Sequence, residues 1–411
     1  MTEPGRDAAP RDFRHVLAAE AVSVFGSMLS RLAIPWVAAL LLVATPWQMG
    51  WLRVAEVLAA ALGSLLLGSL VDRWRKRAVM VASDVLCAAV LAALALLTAT
   101  GGLSFTALLF AAAATGVLRM AFELARSAWL AQRVPAGQLP TRNAQLSMAA
   151  SLSETAAFAL GGWLFQAGGA LVALAVDAFS YAVSALCLRG VAEPAPAPPA
   201  AVAASNALRR FWHDSAEGLR AIAERPALWA LAGIEVLLAF AMSLTDTSFM
   251  IFVARDIGFA TGWLGMIFAC GGLGAVAGAA IAPALGRRFG PGRAMAFGLA
   301  AFALGAAFIP MVASASLAGA VLLVAHQIVG DAGHTVHDVH DRSWRQTAVP
   351  AALLARADAG LRFAGQLAML LGALAGGALA TALGTRTALW LATALAAAAS
   401  LLAAVALTRR P

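Results

Sequence analysis

The chain has 411 residues, of which 62% are hydrophobic and 12% charged, and its formal net charge is +8. A water-soluble globular domain carries about twice that charged fraction, which excludes that class. The arginines are dispersed between long apolar runs and build no extended basic face, which excludes a nucleic-acid-binding protein. Isolated strands cannot cross a bilayer, and the alternation of a transmembrane barrel is absent, so the apolar runs read as helices.

Residues 1–14 mix acids, arginines and prolines. No apolar segment with a small-residue cleavage site follows at signal-peptide length, so the first span is expected to be retained. A helix needs roughly 20 apolar residues to cross the hydrocarbon core. On that measure spans are predicted at 14–43, 47–71, 78–98, 103–125, 143–167 and 170–190. A second set follows at 226–253, 261–285, 293–312, 316–340, 358–382 and 386–408. The expected fold is an all-α membrane protein of about twelve transmembrane helices in two six-helix bundles, residues 1–190 and 226–411, joined by a linker at 191–225.

The segments between spans alternate in charge. Arg73–Arg77, Arg126 to Arg142, Arg209 to Arg225, Arg287 to Arg293, Arg342 to Arg356 and the Arg409-Arg410 tail form one set. The other set, beginning with Ala44–Pro46 and Thr100–Leu103, holds almost no cations. The positive-inside rule puts the arginine-rich set and both termini in the cytoplasm. In the linker, a proline-rich spacer from Glu193 to Pro199 should be extended. After Ser205, apolar residues at Leu208, Phe211, Trp212, Leu219 and Ile222 recur at helical spacing among basic ones, as in a helix lying on anionic lipid. Glycine pairs inside spans, such as Gly161-Gly162 and Gly376-Gly377, read as close helix contacts rather than a phosphate loop. Cys87, Cys187 and Cys270 fall inside apolar runs and read as packing residues.

The most informative segment is Gly68-Ser-Leu-Val-Asp72-Arg73-Trp-Arg75-Lys76-Arg77. A weaker echo, Gly286-Arg287-Arg288-Phe-Gly290, lacks the acid. The segment resembles the cytoplasmic loop signature of the major facilitator superfamily. Further stretches resemble the exporter branch that includes enterobactin and macrolide efflux proteins: Arg31-Leu-Ala-Ile-Pro35, Ala125-Arg126-Ser-Ala-Trp-Leu, Pro140-Thr-Arg-Asn143, Asp177-Ala-Phe-Ser180 and Ser343-Trp-Arg345-Gln346. The resemblance implies two bundles around a cavity that opens alternately to each side, and an inner gate built with Gly68, Asp72, Arg73 and Arg77. Lys76, with Arg75, is expected mainly to orient the protein.

An ionisable group at mid-bilayer costs roughly 3 kcal/mol or more, so it faces a cavity or a partner. Depth along the predicted spans makes a pair of Arg31 with Glu56 reasonable, and Arg119 and Glu123, four apart, can pair on one helix. Candidates for proton coupling are Glu56 with Arg31, then Asp246, then Glu20. His326 is expected to line the cavity with Asp331 nearby, and Asp177 to be a structural group. Trp36, Met28, Phe122, Phe158, Phe240 and Met242 are the kind of side chain expected along an apolar cavity.

Four of the six histidines lie between 326 and 340, interleaved with acids. Asp331, His334, Asp338 and Asp341 share a helical face. His334, His337, Asp338 and Asp341 are the residues a divalent ion would use, yet the plain reading is a polar helix end, with a proton relay or pH-sensitive gate as the sharper one. No cofactor or metal is expected, and no nucleotide loop or catalytic constellation is present. The expectation is a monomeric, proton-coupled efflux transporter of the bacterial inner membrane. It would take an amphipathic drug-like or siderophore-like molecule, with protons and membrane lipids as its other partners. Two alternatives stand beside it: a lipid or lysolipid transporter of the same fold, and a non-transporting membrane scaffold or sensor.

Overall fold

A computed structural model describes residues 8–193, 223–224, 226–349 and 351–407. No strand occurs among the described residues. The first set of helices is α1 (Ala8–Trp36), α2 (Pro46–Arg73), α3 (Lys76–Ala99) and α4 (Phe105–Arg133), followed by the stretch Leu139–Leu188. Gly169, at φ 65° and ψ −164°, breaks that stretch into two helices, α5 (139–168) and α6 (170–188). A side chain there would be strained, and the break stands where the sequence predicts a gap between spans. The second set is α7 (Pro226–Met250), α8 (Thr261–Phe289), α9 (Pro291–Met311), α10 (Leu317–Ala348), α11 (Ala351–Leu383) and α12 (Thr385–Ala406). The amphipathic helix expected in the 191–225 linker lies outside the described residues.

Local chemistry sets many of these boundaries. Pro46, Pro226 and Pro291 open helices, where a missing N–H costs nothing. Thr45 and Gln48 cap α2 reciprocally, with Thr45 N–H donating to Gln48 Oε1 at 2.8 Å and Gln48 N–H to Thr45 Oγ1 at 3.2 Å. Ser104 accepts from the Ala107 N–H ahead of α4, and Ser316 from the Gly319 N–H ahead of α10. The last turn of α1 widens into a π-helix at Val37–Leu41, and that of α7 does the same at Ile251–Asp256.

Two helices run further than the apolar pattern indicates. Residues 126–133 and 341–348 belong to α4 and α10 rather than to loops. The reason is burial of the extra turns: Trp129 is fully buried and its Nε1 donates to the Ala192 carbonyl at 3.1 Å, while the Asp341 side chain is 1% exposed. Nine helical stretches among the described residues, counting Leu139–Leu188 as one, are long and apolar enough to cross a membrane. The histidines and acids of α10 keep it out of that set.

The described residues group into two compact units: residues 8–42, 55–193 and 261–265 form one, and residues 43–54, 223–224, 226–260, 266–349 and 351–407 the other. In the first, α3 packs on α4 and on the α5–α6 stretch, which also packs on α1. In the second, α9 packs on α10 and α12, and α7 on α11 and α12. Glycines allow the tightest approaches. In the first unit a Cβ on Gly162 would stand 2.3 Å from the Thr261 carbonyl oxygen and 3.0 Å from Gly265. In the second, a Cβ on Gly50 would stand 2.7 Å from the Ala373 carbonyl oxygen and 3.6 Å from Gly377. The same interval separates Gly50 from Gly265 and Gly162 from Gly377, so the two units repeat one design.

Candidate functional site

Polar side chains in the first unit gather on α1, α3, α4 and α6. Glu20 on α1 is bound by the Arg126 guanidinium from α4, and one turn or two away Asp12 accepts from Arg133 Nη2 at 2.8 Å. Both acids are buried, so each draws its stabilisation from a cation that cannot lose its charge. Asp84 on α3 accepts from Ser184 Oγ at 2.6 Å, and Asp177 on α6 accepts from Ser30 and from Ser180. Asp177 is fully buried, and a Cβ at Gly26 would collide with it and with Ser180. This seat ties α1 to α6. The Glu56, Glu123 and Asp177 carboxyl groups and the Tyr181 hydroxyl lie around Arg119.

Arg31 stands elsewhere. It is exposed, and its Nη1 meets Met28 Sδ at 3.7 Å instead of the Glu56 carboxylate. Equal depth on two helices does not fix azimuth, and the azimuth of Glu56 puts it among the charge neighbours of Arg119. The cation on α2 that sequence reasoning missed is Arg53, whose Nη2 donates to Asp246 at 3.2 Å in the second unit. Its proximity to Glu56, three residues on, is the signal that marks α2 as a charged helix.

The arginine-rich segment has a structural role besides topology. Lys76 is 5% exposed, and its Nζ donates to the Val71 and Trp74 carbonyls, closing the end of α2. Arg77 donates through its backbone N–H to Glu193 and through Nη1 to the Val191 carbonyl at 3.1 Å, and Arg75 lies 3.7 Å from Glu193. The segment therefore clamps the chain leaving α6. The surroundings of Gly68, Asp72 and Arg73 lie outside the described residues.

In the second unit the polar cluster centres on α10. His337 Nε2 lies 2.5 Å from Glu235 Oε1 on α7. Arg345 binds Asp341 one turn before it and Asp358 on α11 at 2.9 Å. His340 Nε2 donates to the Ala282 carbonyl at 2.9 Å, and Asp338 pairs with Arg342 at 2.7 Å on the exposed side. His334 stacks on Phe302 with ring centroids 5.8 Å apart. Further along the helix, His326 Nδ1 lies 3.0 Å from the Gly305 carbonyl and its ring packs on Phe249, while Asp331 sits where a Cβ on Gly271 would be. Among the described residues no three His, Cys, Asp or Glu side chains converge as a metal site. His334, His337, Asp338 and Asp341 turn to four different partners.

Several residues expected along the cavity pack in apolar clusters. Met28 and Phe158 share one apolar cluster, Phe122 sits in another, and Trp36 is fully buried against Phe165 at 5.2 Å. Phe240 and Met242 pack against clusters of the second unit. Large aromatic area is most stable in contact with other side chains, and helix packing takes these rings first.

Long apolar helices with charges buried between them are those of a multi-pass membrane protein. A sequence profile of the Major Facilitator Superfamily matches residues 16–334, and the chain belongs to that superfamily. Solved structures agree on the fold. The nucleoside transporter NupG superposes with a TM-score of 0.73 at 16% identity, covering 98% of this chain and 100% of that one. A bacterial homologue of the iron transporter ferroportin, in its inward-facing state, gives 0.74 at 15% identity over 97% and 99%. A bacterial homologue of the human lysosomal transporter Spinster gives 0.71 at 14% over 98% of each chain. A search of curated proteins finds no significant sequence match.

Proposed function

We propose that this transporter is a proton-coupled exporter of an amphipathic, drug-like or siderophore-like small molecule, working by alternating access as a monomer in a bacterial inner membrane. The six-helix sets 1–190 and 226–411 are its two moving parts, the 191–225 linker lies at the cytoplasmic surface, and both termini are cytoplasmic. Gly68, Asp72, Arg73 and Arg77 belong to the inner gate. The observation that carries the reading is the grouping of Arg119 with Glu56, Glu123 and Asp177 inside an apolar bundle. A cation shared among several carboxylates supports proton exchange, because neutralising one acid redistributes the cation among the rest. Glu56 is the leading coupling residue in this group, followed by Asp246 and Glu20.

Proteoliposomes loaded with a pH-indicator dye, placed under an imposed pH gradient and challenged with amphipathic compounds, test this. The expected result is compound-dependent proton flux that is lost in Glu56→Gln. Full flux in Glu56→Gln would remove Glu56 from the mechanism, and gradient-independent movement of every compound that binds would overturn proton coupling.

A further inference from the structure

The two units place an acid at the same point of their first helix: the interval from Glu20 to Glu235 equals that from Gly50 to Gly265. Each acid is met from the fourth helix of its own set. Counted from the capping serines Ser104 and Ser316, Arg133 and Arg345 stand at the same position, and Arg126 and His337 differ by one residue. The first unit therefore closes this contact with a guanidinium that is charged at every physiological pH, and the second with an imidazole.

The state of that imidazole follows from its contacts. His337 is 1% exposed, its Nε2 is taken by Glu235, and its Nδ1 is buried without a hydrogen-bond partner. As the ring stands, a proton on Nδ1 would need an acceptor brought to it. Nε2 is the ring nitrogen that donates to the Glu235 carboxylate. One turn along α10, Asp341 gives one oxygen to Arg345 and leaves Oδ1 buried without a partner. A bare nitrogen and a bare carboxylate oxygen stand four residues apart on one helix face, where side chains meet.

We propose that His337 is the proton-binding site of the second unit, with Asp341 as the acceptor that receives the added N–H and Glu235 as the acid that holds the ring. One proton from solution adds to the Nδ1 lone pair; no other bond forms or breaks. The surrounding charges are compatible with it. Beside Glu235 and His337, α10 brings His334 and Arg345, and α11 brings Asp358 through Arg345, while Asp338 and Arg342 pair with each other on the exposed side. α9 presents Gly298 and Phe302, and α8 the Ala282 carbonyl to His340. Proton binding places the charge of the ring between two acids.

This deepens the proton-coupled reading and rests on it, but it is tested without transport. The purified full chain in detergent is shifted from about pH 8 to about pH 6, and proton uptake is read with an indicator dye. The wild type should take up about one proton per chain more than His337→Gln. Asp341→Asn should also take up less in that window. Equal uptake by the wild type and His337→Gln would overturn the site, and unchanged uptake in Asp341→Asn would remove the acceptor. If His337→Gln does not fold, His337→Arg, which rebuilds the acid–guanidinium pair of the first unit, answers the same question. A site that binds its proton while no compound drives proton flux would sink the coupling reading and leave this one standing.

Discussion

The ends of α4 and α10 show one design carried out with two chemistries. In the first unit, Arg126 and Arg133 hold Glu20 and Asp12, acids on α1, with charges that do not change. In the second, α10 meets Glu235 with a histidine and spends Arg345 on Asp341 and Asp358. A repeated fold supplies equivalent positions, while the residue types at those positions differ: a guanidinium meets the acid in the first unit and an imidazole in the second.

The comparison can be broken most severely at the ion pairs. Arg126→Ala leaves Glu20 buried without its cation and should cost about 3 kcal/mol or more in thermal unfolding. His337→Ala removes a hydrogen-bond partner of Glu235 and should cost less, about 1–3 kcal/mol. Equal losses would mean that the two contacts are energetically alike. The glycine crossings come next. Gly265→Val in the first unit and Gly50→Val in the second should each cost about 1–3 kcal/mol, because the added atoms meet backbone that cannot yield. A large loss in one and none in the other would show that the repeat is not functional at that contact.

Smaller effects sharpen the difference between units. Gly26→Ala should disturb the Asp177–Ser30–Ser180 seat and lower stability by about 1–2 kcal/mol. At the same interval the second unit already carries Ala241, fully packed, and has no such seat to disturb. Asp246→Asn should change stability by no more than about 1 kcal/mol, since Asp246 in its pair with Arg53 is more than half exposed. Thermal unfolding in detergent reads all of these.

Much of this was legible in the sequence. Spans follow from runs of apolar residues, and the gap expected between the spans ending at 167 and starting at 170 falls at the break between α5 and α6. The extra turns of α4 and α10 were not legible, because their arginines read as loop charges until the buried acids that receive them are known. Lys76 likewise reads as a topology marker until its ammonium is seen on the carbonyls ending α2. The family resemblance at 68–77 held for the superfamily, whereas the neighbouring structures differ in what they carry and single out no exporter branch. The pairing of Arg31 with Glu56 failed on azimuth, which span depth does not carry. The pairing of Glu235 with His337 was hidden because the partners lie on different helices, although aligning Glu20 with Glu235 and Ser104 with Ser316 would have pointed to it.

The central claim is that the second unit binds a proton where the first holds a fixed charge. A reciprocal exchange tests it most directly: Arg126→His in one protein, His337→Arg in another, with proton uptake between about pH 8 and about pH 6 measured against the wild type. The account predicts about one proton gained in Arg126→His and about one lost in His337→Arg. Uptake identical to the wild type in both would contradict it.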